Sequence, residues 1–489
     1  MPALLLLSSL REDVHVEFPE VGGDVLLHNR WNTLRVNCPD RATREALRRM
    51  SFGPISLRNV LDGRDRATQE RLAGVLTDIQ HLVVRSIGLT DAEIPLLSVT
   101  PMTPQARLGP HGVTPTQPIR LSRFATLRSE GGGFLLESPL SLFRVTAHRA
   151  GAADLLSALG WTTTLQDLLK TVPLHASAVT EIVAQLLATG MVIAAPIPPC
   201  GEDPQFAEDG DPVLAGWSPF ELLFHTRSTT GRHDDDFGAT FALLGHFEPP
   251  PAVKPVPEGP RFPLPRPDGA HPLASDASLI ALLEEPRPAF SADPEQDEVT
   301  LSQIGELLYR SMRVRSVSTD TAGPISYEVS DRPATSVSGT HPLEVYVSAN
   351  RCAGLPNGTF HYDPVQHSLT LLNGGERERS EISLCSQVAA GLSASPAVVL
   401  TLTARFSRVT WKYSGQGYAM ALRDAGTAIQ TLGLVAATLG LAVTAGGSGD
   451  IEVGPRIAGT DWRVESTVGQ LVLGAAAVAP TPCRNAMSA

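Results

Sequence analysis

At 489 residues the chain is too long for one ordinary domain, and at roughly 150 residues per domain it predicts about three. With 42% hydrophobic and 18% charged residues it can bury real cores, which excludes wholesale disorder, and a net charge of -12 argues against a nucleic-acid binder that works by neutralising phosphates. The cysteines, Cys38, Cys200, Cys352, Cys385 and Cys483, are scattered without a Cys-x-x-Cys pair or a matching His spacing, so neither a disulfide framework nor a metal site is expected.

The opening MPALLLLSSLRED has a short leucine run with no basic region before it and no small-residue cleavage site. It reads as a poor signal peptide, and the expected compartment is the cytoplasm. Residues 24 to 86 predict a strand pair (DVLLHN, NTLRVN), helices over Asp40–Met50, Ser56–Asp62 and Ala67–Ile79, and a closing strand HLVVRSI. That order resembles a winged helix. It returns about 110 residues later as GFLLES, LFRVTA, GAADLLSALG, TTLQDLLK, HASAVTEIVAQLLATG and MVIAA, which marks a diverged internal repeat.

Two such modules would ordinarily suggest DNA binding, with Arg44, Arg48 and Arg49 on one helix. The first hundred residues, however, hold 12 arginines and no lysine against 13 carboxylates, so they have no net attraction for DNA. Adding a peptide as an extra strand beside the wing is the use of this fold that the charge permits. Residues 101–120 and 196–215 read as irregular connections. His225, Arg227, Arg232, His233 and the aspartates at 234–236 follow; consecutive acids cannot converge on one ion, so an ordered connector is expected rather than a metal centre. Nine prolines between 249 and 267 then predict a stiff, extended arm.

The second half predicts helices over Ala277–Glu285 and Leu301–Met312, a strand in PLEVYVSA, a hairpin turning near Pro364, a charged turn over Gly374–Ser380, a helix over Glu381–Gly391 and a strand over Ala397–Tyr413 broken at Arg405. A long, mostly apolar run from Ala419 to about Ala445 reads as helix, with Gly426, Gly433 and Gly440 on one close-packing face. Gln430 and several threonines interrupt it and no basic flank orients it, which argues against a membrane span. Lys412 beside Tyr413, at the mouth of this helix, is an acid/base candidate.

Residues 275–489 resemble the nitroreductase-like flavoproteins, and among them the SagB-type peptide dehydrogenases that oxidise azolines in ribosomally made peptides. TSVSGTHPLEVY (335–346) resembles the family loop PSAGALYPLEVY, Lys412-Tyr413 resembles its catalytic Lys-Tyr pair, and LSRFATLRSEGGGFLLESPLSLFRV with FHTRSTTGRHDDDFGATF is similar to the front half of family members. The resemblance implies an α+β chain: winged-helix-like modules over 1–100 and 101–200, the second a peptide clamp, a connector over 201–274, and an FMN domain over 275–489. It further implies FMN, a precursor-peptide substrate, a homodimer, a cyclodehydratase complex as a further partner, and no nucleic-acid or membrane partner.

Under that resemblance Lys412 and Tyr413 are the catalytic pair, Lys412 lowering the phenol pKa so that Tyr413 takes the azoline proton. Arg313 and Arg315 would clamp the phosphate, and Ser336, Ser338, Gly339, Thr340, Gln416, Gly446 and Gly447 would contact the flavin. The sequence departs from the family at EEPRPAF, where Arg-Arg-Ser is usual and Arg287 is the only basic residue, at Ser338 and His341 in the loop, and at Gln416. The rival readings are a flavin-dependent reductase of dehydroamino acids in lanthipeptides and a non-catalytic peptide-binding scaffold.

Overall fold

The computed structural model describes residues 3–19, 23–109, 111–112, 114–233, 236–267, 278–284, 288–291, 298–372, 375–447 and 449–477. Arg287, Cys483 and two of the connector aspartates, Asp234 and Asp235, lie outside the described residues. The chain is α+β and divides into two compact units, Met1–Phe237 and Gly238–Ala489.

In the first unit the leucine run is a strand. Leu4–Leu10 pairs antiparallel with Val83–Leu89, and the sheet continues through Leu97–Pro101, Phe143–Ala147, Gly133–Glu137 and Thr126–Glu130. A separate three-stranded sheet, His15–Glu17, Val25–His28 and Thr33–Val36, packs with helices Arg41–Met50 and Arg66–Asp78, whose first turns Asp40 and Asp65 cap by accepting from the Thr43 and Thr68 N–H groups. The later helices Ala150–Ala158, Leu165–Thr171 and Ala176–Ala188 repeat the helix order. The strands do not repeat their partners: Leu34–Val36 stays in the small sheet, whereas its sequence counterpart Phe143–Val145 joins the large one. Buried apolar residues such as Leu136, Val145, Leu155 and Ile182 then close the core.

The second unit is built on a seven-stranded antiparallel sheet in the order Arg261–Pro263, Ser368–Leu371, Gly358–Asp363, Leu343–Ala349, Val398–Arg405, Glu465–Ala475 and Leu441–Gly446. Strand alternation sends Val345, Val347, Leu400 and Leu402 into one core with helices Leu301–Ser311 and Gly417–Thr438. It sends Tyr346 and Val399 to the other face, against Ile382, Val453 and Ile457 from helices Glu376–Ala389 and Val453–Ala458.

Four expectations change here. The long helix ends at Thr438; Gly440 takes φ 67° and the rest of the apolar run becomes the edge strand Leu441–Gly446. The glycine face therefore dissolves: Gly440 lies outside the helix, a Cβ on Gly426 would meet nothing within 4 Å, and Gly433 alone is buried in the helix. The charged turn is the start of helix Glu376–Ala389, where Glu376 and Glu378 suit the positive end of the dipole. The proline arm is part of the second unit: Arg261–Pro263 is a sheet strand, and the Pro250, Pro251 and Ala252 carbonyls accept from buried Arg408, Arg405 and Arg332. A hairpin of Ser316–Asp320 and Tyr327–Asp331, unassigned in the sequence reading, completes the unit.

Candidate active site

Strand Val398–Arg405 ends in the short helix Ser407–Thr410, and Lys412 and Tyr413 sit in the turn beyond it, not on a strand. Both backbone N–H groups donate to the Val409 carbonyl, at 3.1 and 3.0 Å, and Gly415 follows with φ 67°. Freed from strand alternation, the two side chains share a region yet take different partners. The Lys412 Nζ donates to the Tyr327 hydroxyl at 2.7 Å and stands 5.2 and 5.5 Å from the ring centres of Tyr327 and Tyr413. Tyr327 in turn donates to Asp320 Oδ2 at 2.7 Å. The Tyr413 hydroxyl donates to the Ser338 carbonyl at 3.0 Å.

The electrostatics reverse one sequence expectation. Burial, followed by the Asp424 charge, pushes the Tyr413 phenol above its ordinary pKa, opposite to the lowering expected from the adjacent ammonium. Burial lowers the Lys412 ammonium, with Asp320 opposing and Arg408 assisting. Of the pair, Lys412 is the group moved toward neutrality.

The serine loop is organised by Asp424, a buried carboxylate and the sole acidic residue of helix Gly417–Thr438. Ser336 and Ser338 donate to its Oδ2 at 2.8 and 2.9 Å, and the Val337 N–H donates to Oδ1 at 2.5 Å. Burial nevertheless holds the Asp424 pKa above the usual carboxylate value, against the pull of those donors. Thr340 Oγ1 lies 2.7 Å from Ser338 Oγ, so all three hydroxyls expected to face a flavin turn inward. Gly339 takes φ 67°, with open space where a Cβ would stand. His341, also left-handed at φ 46°, is pushed down to about 4 by burial and then by Arg332. Arg408 closes the far side of the loop: its Nε donates to the Thr340 carbonyl at 3.0 Å, it is fully buried, and it is lowered to about 10 by burial.

The other expected contacts lie apart. Arg313 and Arg315 face an open cleft of about 270 Å³ with Arg266, Tyr309, Pro364 and His367. Arg313 lies 4.2 Å over the Tyr309 ring and donates to the Tyr309 carbonyl, and half-exposed Arg315 is 3.5 Å from Asp331. Gln416 is buried where the long helix begins, its carbonyl accepting from the Met420 N–H. Gly446 and Gly447 fall at the end of the edge strand, with two strands between it and the strand that the serine loop leads into.

Sequence reasoning missed Asp424, Tyr327, Asp320 and Arg408. Asp424 left a readable signal, since a carboxylate within a mostly apolar run must find partners if it is buried. Tyr327 and Asp320 left none, because the hairpin that carries them was unrecognised.

Comparison with known proteins adds two family matches. The family described as cyanobactin oxidase ThcOx matches residues 119–234, and the nitroreductase family matches residues 287–475. The nitroreductase-family match falls wholly within the second unit. A curated Methanocaldococcus jannaschii protein with a nitroreductase name is 27% identical over 150 residues, 31% of this chain and 69% of that one. Among solved structures, the Escherichia coli microcin synthetase McbBCD complex with truncated pro-MccB17 bound is 17% identical over 54% of this chain and 92% of that one, with a TM-score of 0.33. A nitroreductase-named structure from Anabaena variabilis is 18% identical over 51% of this chain and 45% of that one, with a TM-score of 0.36, so the chain spans less than half its length. The nitroreductase-family and cyanobactin-oxidase matches support an oxidoreductase. No helix among the described residues is long and apolar enough to cross a membrane.

Proposed function

We propose that the protein is an FMN-dependent dehydrogenase that oxidises thiazoline or oxazoline rings of a ribosomally made precursor peptide to the aromatic azoles. The observation that carries this reading is the pairing of a cyanobactin-oxidase match with a nitroreductase-family match in whose span Tyr413, next to Lys412, bonds the Asp424-pinned loop. In this reading residues 1–200 hold the peptide, a second copy of the chain completes the flavin site, and a cyclodehydratase complex supplies the rings.

The residues fit FMN in part. Arg313 and Arg315, with Arg266, give a cleft with more cations than carboxylates, suited to a phosphate, and the Gly339 backbone has open space beside it. The Ser336, Ser338 and Thr340 hydroxyls do not fit as flavin donors, because Asp424 and one another engage them; their part is to stiffen the loop. FMN, when bound, supplies the hydride acceptor. The chain's own task is the proton: the Lys412 amine takes it from the ring carbon, while Tyr413, kept as a phenol, ties the turn to the loop at Ser338. Because burial lowers the Lys412 pKa, turnover should rise with pH through that depressed value and level off above it, a profile measurable with a synthetic azoline peptide.

The test is a spectrum and a mass. Purified protein should absorb near 450 nm, the general flavin band, and azoline peptide should lose two hydrogens per ring. Protein that cannot be loaded with FMN overturns the reading in favour of a peptide-binding scaffold. Rapid bleaching by NADPH with reduction of dehydroamino acids favours the reductase.

A further inference from the structure

Lysine is almost absent from this chain: of 39 lysines and arginines, only Lys170, Lys254 and Lys412 are lysines. Arginine keeps its charge under all ordinary conditions, whereas a buried lysine can give up its proton, so the few lysines mark places where the two side chains are not interchangeable. Lys170 is an exposed partner of Asp167. Lys254 and Lys412 each donate to a tyrosine hydroxyl backed by a carboxylate.

The partner of Lys412 comes from the hairpin Ser316–Asp320 and Tyr327–Asp331. A two-stranded hairpin has little stability alone, and most of this one is exposed. Asp320 and Tyr327 are its last register pair, facing each other across the strands, and Tyr327 is 5% exposed with its ring 4.9 Å from that of Trp411. Asp320 also accepts from the Ala322 N–H at 2.9 Å, which orients the carboxylate. The hairpin thus delivers one buried, oriented phenol to the Lys412 ammonium.

We propose that Tyr327, oriented by Asp320, is the positioning residue for Lys412: its hydroxyl takes one donor direction of the ammonium and holds Nζ between the rings of Tyr327 and Tyr413. The charged and titratable groups around Lys412 are Asp320 and Tyr327 from the hairpin, Tyr413 from its own turn and Arg408 from the short helix before it. Asp320 favours the ammonium, and Arg408 and burial disfavour it. Removing the hydroxyl or the Asp320 charge therefore moves the Lys412 titration to lower pH and loosens Nζ. The inference rests on the azoline-oxidation reading only in taking Lys412 as the proton acceptor.

The test uses full-length protein labelled with lysine enriched in 13C at the ε carbon, in which three lysines give three signals. In Tyr327→Phe the Lys412 midpoint should move to lower pH while that of Lys254 stays, and turnover of azoline peptide should fall about tenfold or more with KM unchanged. Asp320→Asn, on a part-exposed residue, should move the midpoint in the same direction and serves if Tyr327→Phe fails to fold. An unmoved Lys412 midpoint in a folded variant overturns the proposal. A moved midpoint in protein that neither loads FMN nor oxidises azolines keeps the positioning and overturns the azoline reading instead.

Discussion

Two clusters in the second unit share one set of groups and differ in their wiring. In the first, Lys254 Nζ donates to both Tyr346 and Glu465, at 2.8 and 2.6 Å, and Tyr346 donates to the same carboxylate at 2.7 Å. Thr403 adds a donor to Glu465 at 2.8 Å, so the triangle is closed and largely buried. In the second, Lys412 donates to the hydroxyl of Tyr327, and Asp320 stands behind the phenol. A closed triangle fixes charge for structure; an open chain leaves the ammonium with donor directions to spare for chemistry. The contrast teaches that a direct ion pair ties a lysine to its carboxylate, whereas a phenol placed between the charges holds the two apart.

The largest effect should come from breaking the open chain at its head. Lys412→Met removes the proton acceptor and should lower turnover of azoline peptide by about 10²–10⁴, with the fold intact by circular dichroism. Breaking the closed triangle should do the reverse. Glu465→Gln leaves the Lys254 ammonium without its carboxylate in a site where Glu465 is 3% exposed, and should destabilise the second unit by about 3–5 kcal/mol in chemical denaturation. Substantial loss of turnover with unchanged stability in that variant would erase the distinction between the two clusters.

Next in size is the loop that Tyr413 of the Lys-Tyr pair bonds. Asp424→Ala strands the Ser336 and Ser338 hydroxyls and the Val337 N–H, and should lower stability by about 1–3 kcal/mol while loosening the loop. FMN affinity, followed by fluorescence titration, should fall with it. An unchanged affinity would show that the loop is not part of the flavin site.

How much of this was legible in the sequence follows the range of the contacts. Lys412-Tyr413 and the loop TSVSGTHPLEVY are each contiguous, and the residues that make them recognisable lie side by side. The partners that define their chemistry are remote: Asp424 lies 88 residues from Ser336 and Tyr327 85 residues from Lys412, brought together by strand order that no local pattern encodes. The apolar run after Ala419 shows the same limit, since periodicity cannot tell a buried helix from the buried strand Leu441–Gly446 that follows it. Gly440 was the local clue, read as a packing glycine when it is the left-handed stop. The leucine run at residues 4–10 was weighed as a signal peptide because its partner strand begins at Val83.

The smallest effect is the most discriminating. If Tyr413 were the base, Tyr413→Phe would abolish turnover as completely as Lys412→Met. The geometry gives its hydroxyl another task, a single bond to the Ser338 carbonyl, and burial with Asp424 keeps the phenol protonated. Losing one such bond is worth about 0.5–1.5 kcal/mol, so turnover should fall roughly two- to thirteenfold. The pH at half-maximal turnover should stay where Lys412 sets it, because the titrating group is untouched. A Tyr413→Phe protein with no measurable turnover, or with the rising limb of its profile gone, would return the proton to Tyr413 and make Lys412 the group that serves it.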